Sequence, residues 1–209
     1  MSNLRIGVLV SGGGTNLQAI IDAVARKEIP AEVSVVISNV RTAYALQRAA
    51  RHGIPATVID HHDFPDRGTF EQALIAELES RRVQLVCLAG FMRVLSPLFV
   101  RRYAARIMNI HPALLPAFKG LWGHHVHEAV IASGTRFSGC TVHFVTEDVD
   151  GGPILVQRAV PVLESDDAAT LAARVLVEEH RAYPEAIARF ASGKLRIAGN
   201  RVMTLAEER

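Results

Sequence analysis

Short apolar runs of strand length alternate along the chain with segments whose apolar positions recur at helical spacing. Leu4–Val10, residues 33–37, residues 56–59 and Leu85–Leu88 read as strands, and residues 107–109 as a fifth. Between them residues 17–26, 43–52 and 70–81 read as helices, the last with Leu74, Ile75 and Leu78 on one face. Strands separated by helices predict βαβ units and a parallel sheet. The pattern changes after residue 135. Residues 139–146 and 154–162 alternate apolar with polar and are joined by a short acidic turn, which predicts an antiparallel hairpin. A helix follows over Ala168–Ala191, where Pro184 is expected to kink or restart it. Residues 194–198 and 201–205 flank Gly199-Asn200 as a small terminal hairpin. The expected fold class is α/β: a mostly parallel, open, twisted sheet flanked by helices, with a Rossmann-like N-terminal half and an antiparallel C-terminal hairpin. No repeat or linker interrupts residues 1–209, so they read as a single domain with two halves, about 1–110 and about 111–209.

Composition narrows the function class. A chain of 209 residues that is 49% hydrophobic can bury one ample core. The formal charge of +2 and the lack of any Lys/Arg run argue against nucleic acid as a partner. Cys87 and Cys140 both lie inside apolar runs and read as buried thiols, with neither disulfide nor zinc spacing. The first apolar run is too short for a signal peptide, and no stretch approaches the ~20 apolar residues of a membrane span. A soluble cytoplasmic protein is expected.

Chemistry concentrates at Asn109-Ile110-His111-Pro112, where a predicted strand gives way to a loop, and at Asp150-Gly151-Gly152-Pro153. Ligands bind at that edge of open α/β sheets. Asn109 and His111, two apart, leave an extended strand on the same side. The amide donates without titrating, and the imidazole moves a proton near neutral pH. Asp150 could hold the imidazole or a water. The set suits attack on a carbonyl by a nucleophile that belongs to a substrate, since no Ser or Cys accompanies it. On spacing alone, a capped loop start and an ordinary Asp-Gly-Gly turn are the favoured reading, and the rest of the chain raises the catalytic one.

Ser11-Gly12-Gly13-Gly14-Thr15-Asn16 follows the first strand and opens the first helix, a setting for an anion at free backbone N–H groups. It lacks the Lys-Ser/Thr of a Walker loop. It also fails the dinucleotide fingerprint, with Leu17 at the third glycine position and Ser38-Asn39 where an acidic ribose ligand belongs. That leaves a single phosphate, or a plain strand-to-helix turn. The apolar segment from Leu88 to Leu95 is either core or the wall of a flat aromatic ligand, with Arg93 placed to meet carboxylates. Glu179 interrupts the apolar row Leu171, Val175, Tyr183, Ile187, which fits a ligand contact, a rim position or an internal ion pair. His143 reads as a hydrogen-bonded structural histidine that can also face the site. His124-His125-Val126-His127 reads as a solvent-exposed loop rather than a metal site.

Taken together these residues resemble the folate-dependent formyltransferases, and within them the family acting on glycinamide ribonucleotide. The resemblance runs from Gly7-Val8-Leu9-Val10-Ser11-Gly12 through Ala89-Gly90-Phe91-Met92-Arg93, Asn109-Ile110-His111-Pro112-Ala113-Leu114-Leu115-Pro116 and Thr141-Val142-His143-Phe144-Val145 to Asp150-Gly151-Gly152-Pro153. It implies formyl transfer from 10-formyltetrahydrofolate, a co-substrate, to the glycyl amine of glycinamide ribonucleotide in purine synthesis, with no tightly bound cofactor and no metal. It assigns Gly14, Thr15 and Asn16 to the nucleotide phosphate and Glu179 to the nucleotide. Arg67, Met92, Arg93, Val94, Leu95 and Asn109 fall to the folate, and Asn109, His111 and Asp150 to catalysis. The segment 121–125 is longer than its counterparts, so His124, His125 and His127 receive no role, and Leu176 stands where some members have a polar residue. The partners implied are small molecules, with no nucleic acid and no membrane, for a monomer or homodimer. The mechanism implied is direct amine attack, the oxyanion held by Asn109 and protonated His111, with Asp150 raising the pKa of His111. Competing readings are a formyltetrahydrofolate hydrolase, a formyltransferase for initiator tRNA or another amine, and a non-catalytic nucleotide-binding module.

Overall fold

The computed structural model describes residues 3–205, and its contacts divide the chain into two compact units, Met1–Asn109 and Ile110–Arg209. In the first unit, β1 (Leu4–Val10), β2 (Ala31–Ser38), β3 (Ala56–Val58), β4 (Leu85–Leu88) and the start of β5 (Ile107–His111) pair in parallel, in the order β3-β2-β1-β4-β5. Ile6, Val8, Leu9 and Val10 are all fully buried. That is the signature of a parallel strand covered on both faces, and explains why β1 reads as an unbroken apolar run. Gly7 lets α3 (Arg67–Ser80) come close: a Cβ there would lie 2.5 Å from Leu78 Cδ2.

The remaining helices of this unit are α1 (Thr15–Ala25), α2 (Tyr44–Arg51) and α4 (Pro97–Arg102). Helix α3 begins at Arg67 rather than residue 70 because the Asp66 side chain accepts the Thr69 N–H as its N-cap. Sequence periodicity missed α4 and the 3-10 turn His61–Asp63, both too short to show a period. The Ser96 cap followed by Pro97 was the available signal for α4. Strand β2 is longer than expected and β3 ends one residue earlier, at Val58.

In the second unit, β6 (Phe137–Phe144) and β7 (Ile154–Pro161) are antiparallel, with a register shift between Val142 and His143. Strands β8 (Leu195–Ala198) and β9 (Arg201–Thr204) form the terminal hairpin, and β9 meets β7 in parallel at Ile154 and Arg201. Helix α6 (Ala168–Ala191) packs on β6, β7 and α5 (His124–Ser133). A capping box between Asp167 and Thr170 starts α6. The helix runs through Pro184 without the restart expected there. The expectation of an exposed loop at 124–127 is corrected: these residues are the first turn of α5, and Val126 and His127 are buried. Both cysteines are buried thiols outside any disulfide, and burial pushes the Cys140 thiol up to about 12. Among the described residues no helix is long and apolar enough to cross a membrane.

Candidate active site

In the first unit the glycine loop leaves β1 and turns into α1, with Gly14 as the N-cap in the left-handed region at φ 69°. Three successive carbonyls of the loop are engaged: Gly12 accepts Ala45 N–H (3.1 Å), Gly13 accepts Arg48 Nε–H (2.8 Å), and Gly14 accepts Gln18 N–H (3.0 Å). Sequence reasoning overlooked Ser11. Its backbone N–H donates to Gly90 O, while its hydroxyl donates to Asn39 Oδ1 (2.6 Å) and accepts from Met92 N–H (2.8 Å). One hydroxyl thus ties the glycine loop, the end of β2 and the segment after β4 together.

The far end of that segment is also fixed. Glu71, buried on α3, accepts the Ser96 N–H at 2.7 Å and the Ser96 hydroxyl. The same carboxylate receives Arg67 Nε at 3.1 Å, so Arg67 is held one turn away on its own helix. Between the two anchors Met92 and Val94 stand 57% and 62% exposed while Leu95 is buried. The segment is therefore not simple core. It is a tethered apolar rim carrying the exposed Arg93.

In the second unit His111 and Asp150 come together, with His111 Nδ1 3.5 Å from Asp150 Oδ2. Strand β5 continues through His111, so Asn109 and His111 both project from the strand itself, two residues apart on one side. Asp150 Oδ2 also accepts Gly120 N–H at 3.0 Å, and His143 Nε2 lies 3.6 Å from Oδ1. His143 is buried on β6 beside the carboxylate, so the structural and site-facing readings both describe it.

The turn holding Asp150 is strongly determined. Asp150 has φ 53°, a left-handed conformation that a non-glycine residue keeps only under outside constraint. A Cβ at Gly152 would lie 1.8 Å from the Phe144 carbonyl oxygen, so that approach of backbone to backbone requires glycine. Phe144 N–H donates to Pro153 O there.

Charge in this cluster departs from the sequence expectation. Burial lowers the pKa of His111, and His143 adds to the effect, against the opposing pull of Asp150 and the Phe118 backbone carbonyl. Asp150 favours the His111 cation, as expected, but desolvation wins. His111 is neutral at pH 7, not protonated. For Asp150, burial acts to raise the pKa, yet the His143 ring, the Gly120 N–H and His111 together hold it below the usual carboxylate value. His111 Nε2 is buried with no protein hydrogen-bond partner among the described residues. With the carboxylate at Nδ1, the neutral ring keeps its proton on Nδ1 and presents the Nε2 lone pair. That is a base ready to accept.

His127, on α5, is buried, its pKa lowered by desolvation and by His111. His124 and His125, at the start of the same helix, are exposed. Those two lie beside Glu128, close enough for one cation, as do Asp60, His61 and His62 in the first unit. Glu179, on α6, is buried, which removes the rim reading. The structure joins His111 to Asp150, and Ser11 to Met92.

The profile of the formyl transferase family matches residues 4–187. The trifunctional purine biosynthetic protein adenosine-3 of Drosophila pseudoobscura pseudoobscura is 50% identical over 92% of this chain, which spans only 14% of that protein's length. Phosphoribosylglycinamide formyltransferase of Escherichia coli K12 is 43% identical over 94% of this chain and 92% of its own. The crystal structure of glycinamide ribonucleotide transformylase 1 from Symbiobacterium toebii matches with a TM-score of 0.94 at 50% identity, covering 98% of this chain and 95% of that one.

Proposed function

Because this chain belongs to the formyl transferase family, we propose that it transfers a formyl group from 10-formyltetrahydrofolate to the glycyl amine of glycinamide ribonucleotide, a step of purine synthesis. One catalytic domain, residues 1–209, would do this as a soluble cytoplasmic enzyme, monomeric or homodimeric. The observation that carries the reading is the Asp150–His111 pair, with a neutral imidazole whose Nε2 has no hydrogen-bond partner among the described residues. A transferase whose nucleophile arrives as a substrate amine needs such a base more than it needs a nucleophile of its own.

The amine attacks the formyl carbon, and the carbonyl oxygen takes the negative charge. Asn109 donates its amide N–H to that oxyanion. His111 Nε2 takes the proton that the attacking nitrogen must lose and delivers it to the folate nitrogen that leaves. The imidazolium exists only between the two transfers, and Asp150 stabilises it then. The N–H groups of Gly14, Thr15 and Asn16 hold the nucleotide phosphate, and Glu179 meets the nucleotide. Met92, Arg93, Val94 and Leu95 line the folate, with Arg67 and Asn109 as further contacts. The folate supplies the one-carbon unit as a co-substrate, and no step calls for a metal.

The test is formyl transfer measured with and without glycinamide ribonucleotide, alongside release of formate. Formylated nucleotide should dominate, and formate without nucleotide should be slow. Glu179→Ala should raise KM for the nucleotide far more than KM for the folate, because it removes contacts to one partner only. Rapid formate release that ignores both the nucleotide and the Glu179 change would establish a hydrolase instead.

A further inference from the structure

The glycine loop is braced from behind by α2, and we infer that Arg48 is the residue that aims its amides at the phosphate. The inference rests on the proposal that this loop holds the phosphate of a ribonucleotide. In a trans peptide the C=O of one residue and the N–H of the next point in opposite directions. Ala45 N–H takes the Gly12 carbonyl, Arg48 Nε–H the Gly13 carbonyl and Gln18 N–H the Gly14 carbonyl. The N–H groups of Gly13, Gly14 and Thr15 are therefore turned away from those donors. A carbonyl that swung round would put its oxygen against an anion.

Two of the three carbonyl donors are backbone groups fixed by helices α1 and α2. Arg48 is the one side chain among them, and it is clamped. Its Nη1 donates to Gln18 Oε1 at 3.2 Å, and its guanidinium lies 5.0 Å from the Tyr44 ring centroid. Contact between the two helices is close: a Cβ at Gly14 would lie 2.6 Å from Ala45 Cβ. The guanidinium satisfies a carbonyl of the loop and so acts through the backbone. Arg48 is a positioning residue.

A planar fork with Nε–H and Nη1–H placed on two acceptors cannot be reproduced by an ammonium. Arg48→Met and Arg48→Lys should therefore behave alike. Each should raise KM for glycinamide ribonucleotide, and weaken competitive inhibition by ribose 5-phosphate, by about tenfold, the value of one charge-assisted hydrogen bond. KM for the folate should stay within about twofold, and thermal midpoints should match wild type. Arg48→Lys with wild-type nucleotide KM would overturn the inference in favour of plain charge, and a wild-type KM in Arg48→Met would overturn it outright. Amide chemical shifts keep the two proposals apart. If ribose 5-phosphate fails to move the Gly14 and Thr15 resonances of the wild-type protein, the phosphate site itself is wrong. If it moves them equally in both variants, only the role of Arg48 is.

Discussion

In the proposed mechanism His111 sets the working pH through one atom. As a base it must be neutral, and burial holds its pKa below the ordinary histidine value of ~6.5. The acid limb of kcat/KM should thus have its midpoint under that value and fall away as pH drops through it. Asp150 pulls in the opposite direction, favouring the cation. Asp150→Asn removes that pull, so the acid limb should move to still lower pH while turnover falls by roughly 10²–10⁴, the range for a damaged acid–base pair. A variant whose limb moved upward would contradict the assigned charge balance. Sequence spacing made Asn109, His111 and Asp150 legible as candidates because two of them share a strand edge and the third sits in a glycine turn. It could not give the protonation state, which depends on burial by residues distant in the chain. It also passed over Ser11 and Glu71, whose importance lies in partners 81 and 25 positions away.

Elements with a strong period were read almost to the residue. Strands β1 and β4 and helix α6 match their expected bounds, since an apolar run or a capped amphipathic stripe is a local property. Helix α5 was not legible. Its histidine-rich first turn resembles a polar loop until His127 is seen to pack inward. The turn between β6 and β7 permits a sharp comparison between adjacent glycines. At Gly151 an added Cβ meets Asp148 Oδ2, the tip of a side chain that can swing despite its bond to Lys119. At Gly152 it meets the Phe144 backbone oxygen, which cannot move without displacing β6. Gly152→Ala should cost most of the turnover and lower the thermal midpoint by several degrees, corresponding to about 1–3 kcal/mol of overpacking. Gly151→Ala should have the milder effect on both. Activity and melting curves of the two variants check the order.

At the scale of the molecule the two units carry different chemistry. The first offers a braced glycine loop and a tethered apolar rim; the second offers the His111–Asp150 pair and a buried carboxylate on its long helix. The α/β class followed from the alternation of runs and periods, and the antiparallel tail from the switch of pattern near residue 135. The parallel meeting of β9 with β7 was invisible, because a single bridge between Ile154 and Arg201 leaves no pattern in either segment. The Asp150-Gly151 junction also determines how the molecule ages. An aspartate followed by glycine cyclises when the glycine nitrogen attacks the carboxyl carbon and water leaves; hydrolysis of the ring then gives isoaspartate, with the chain rerouted through the side chain. In the folded protein Gly151 N–H is committed to the Asp148 carbonyl at 3.0 Å, and the Asp150 carboxylate is kept ionised and held by Gly120 N–H. Both brakes vanish on unfolding, so isoaspartate at position 150 should accumulate in proportion to the unfolded fraction. Peptide mapping of samples stored in rising urea should show its yield climbing through the unfolding transition. Fully folded samples should keep both the ordinary linkage and their activity. Shelf life is then a readout of conformational stability, written as a covalent scar on the proposed catalytic pair.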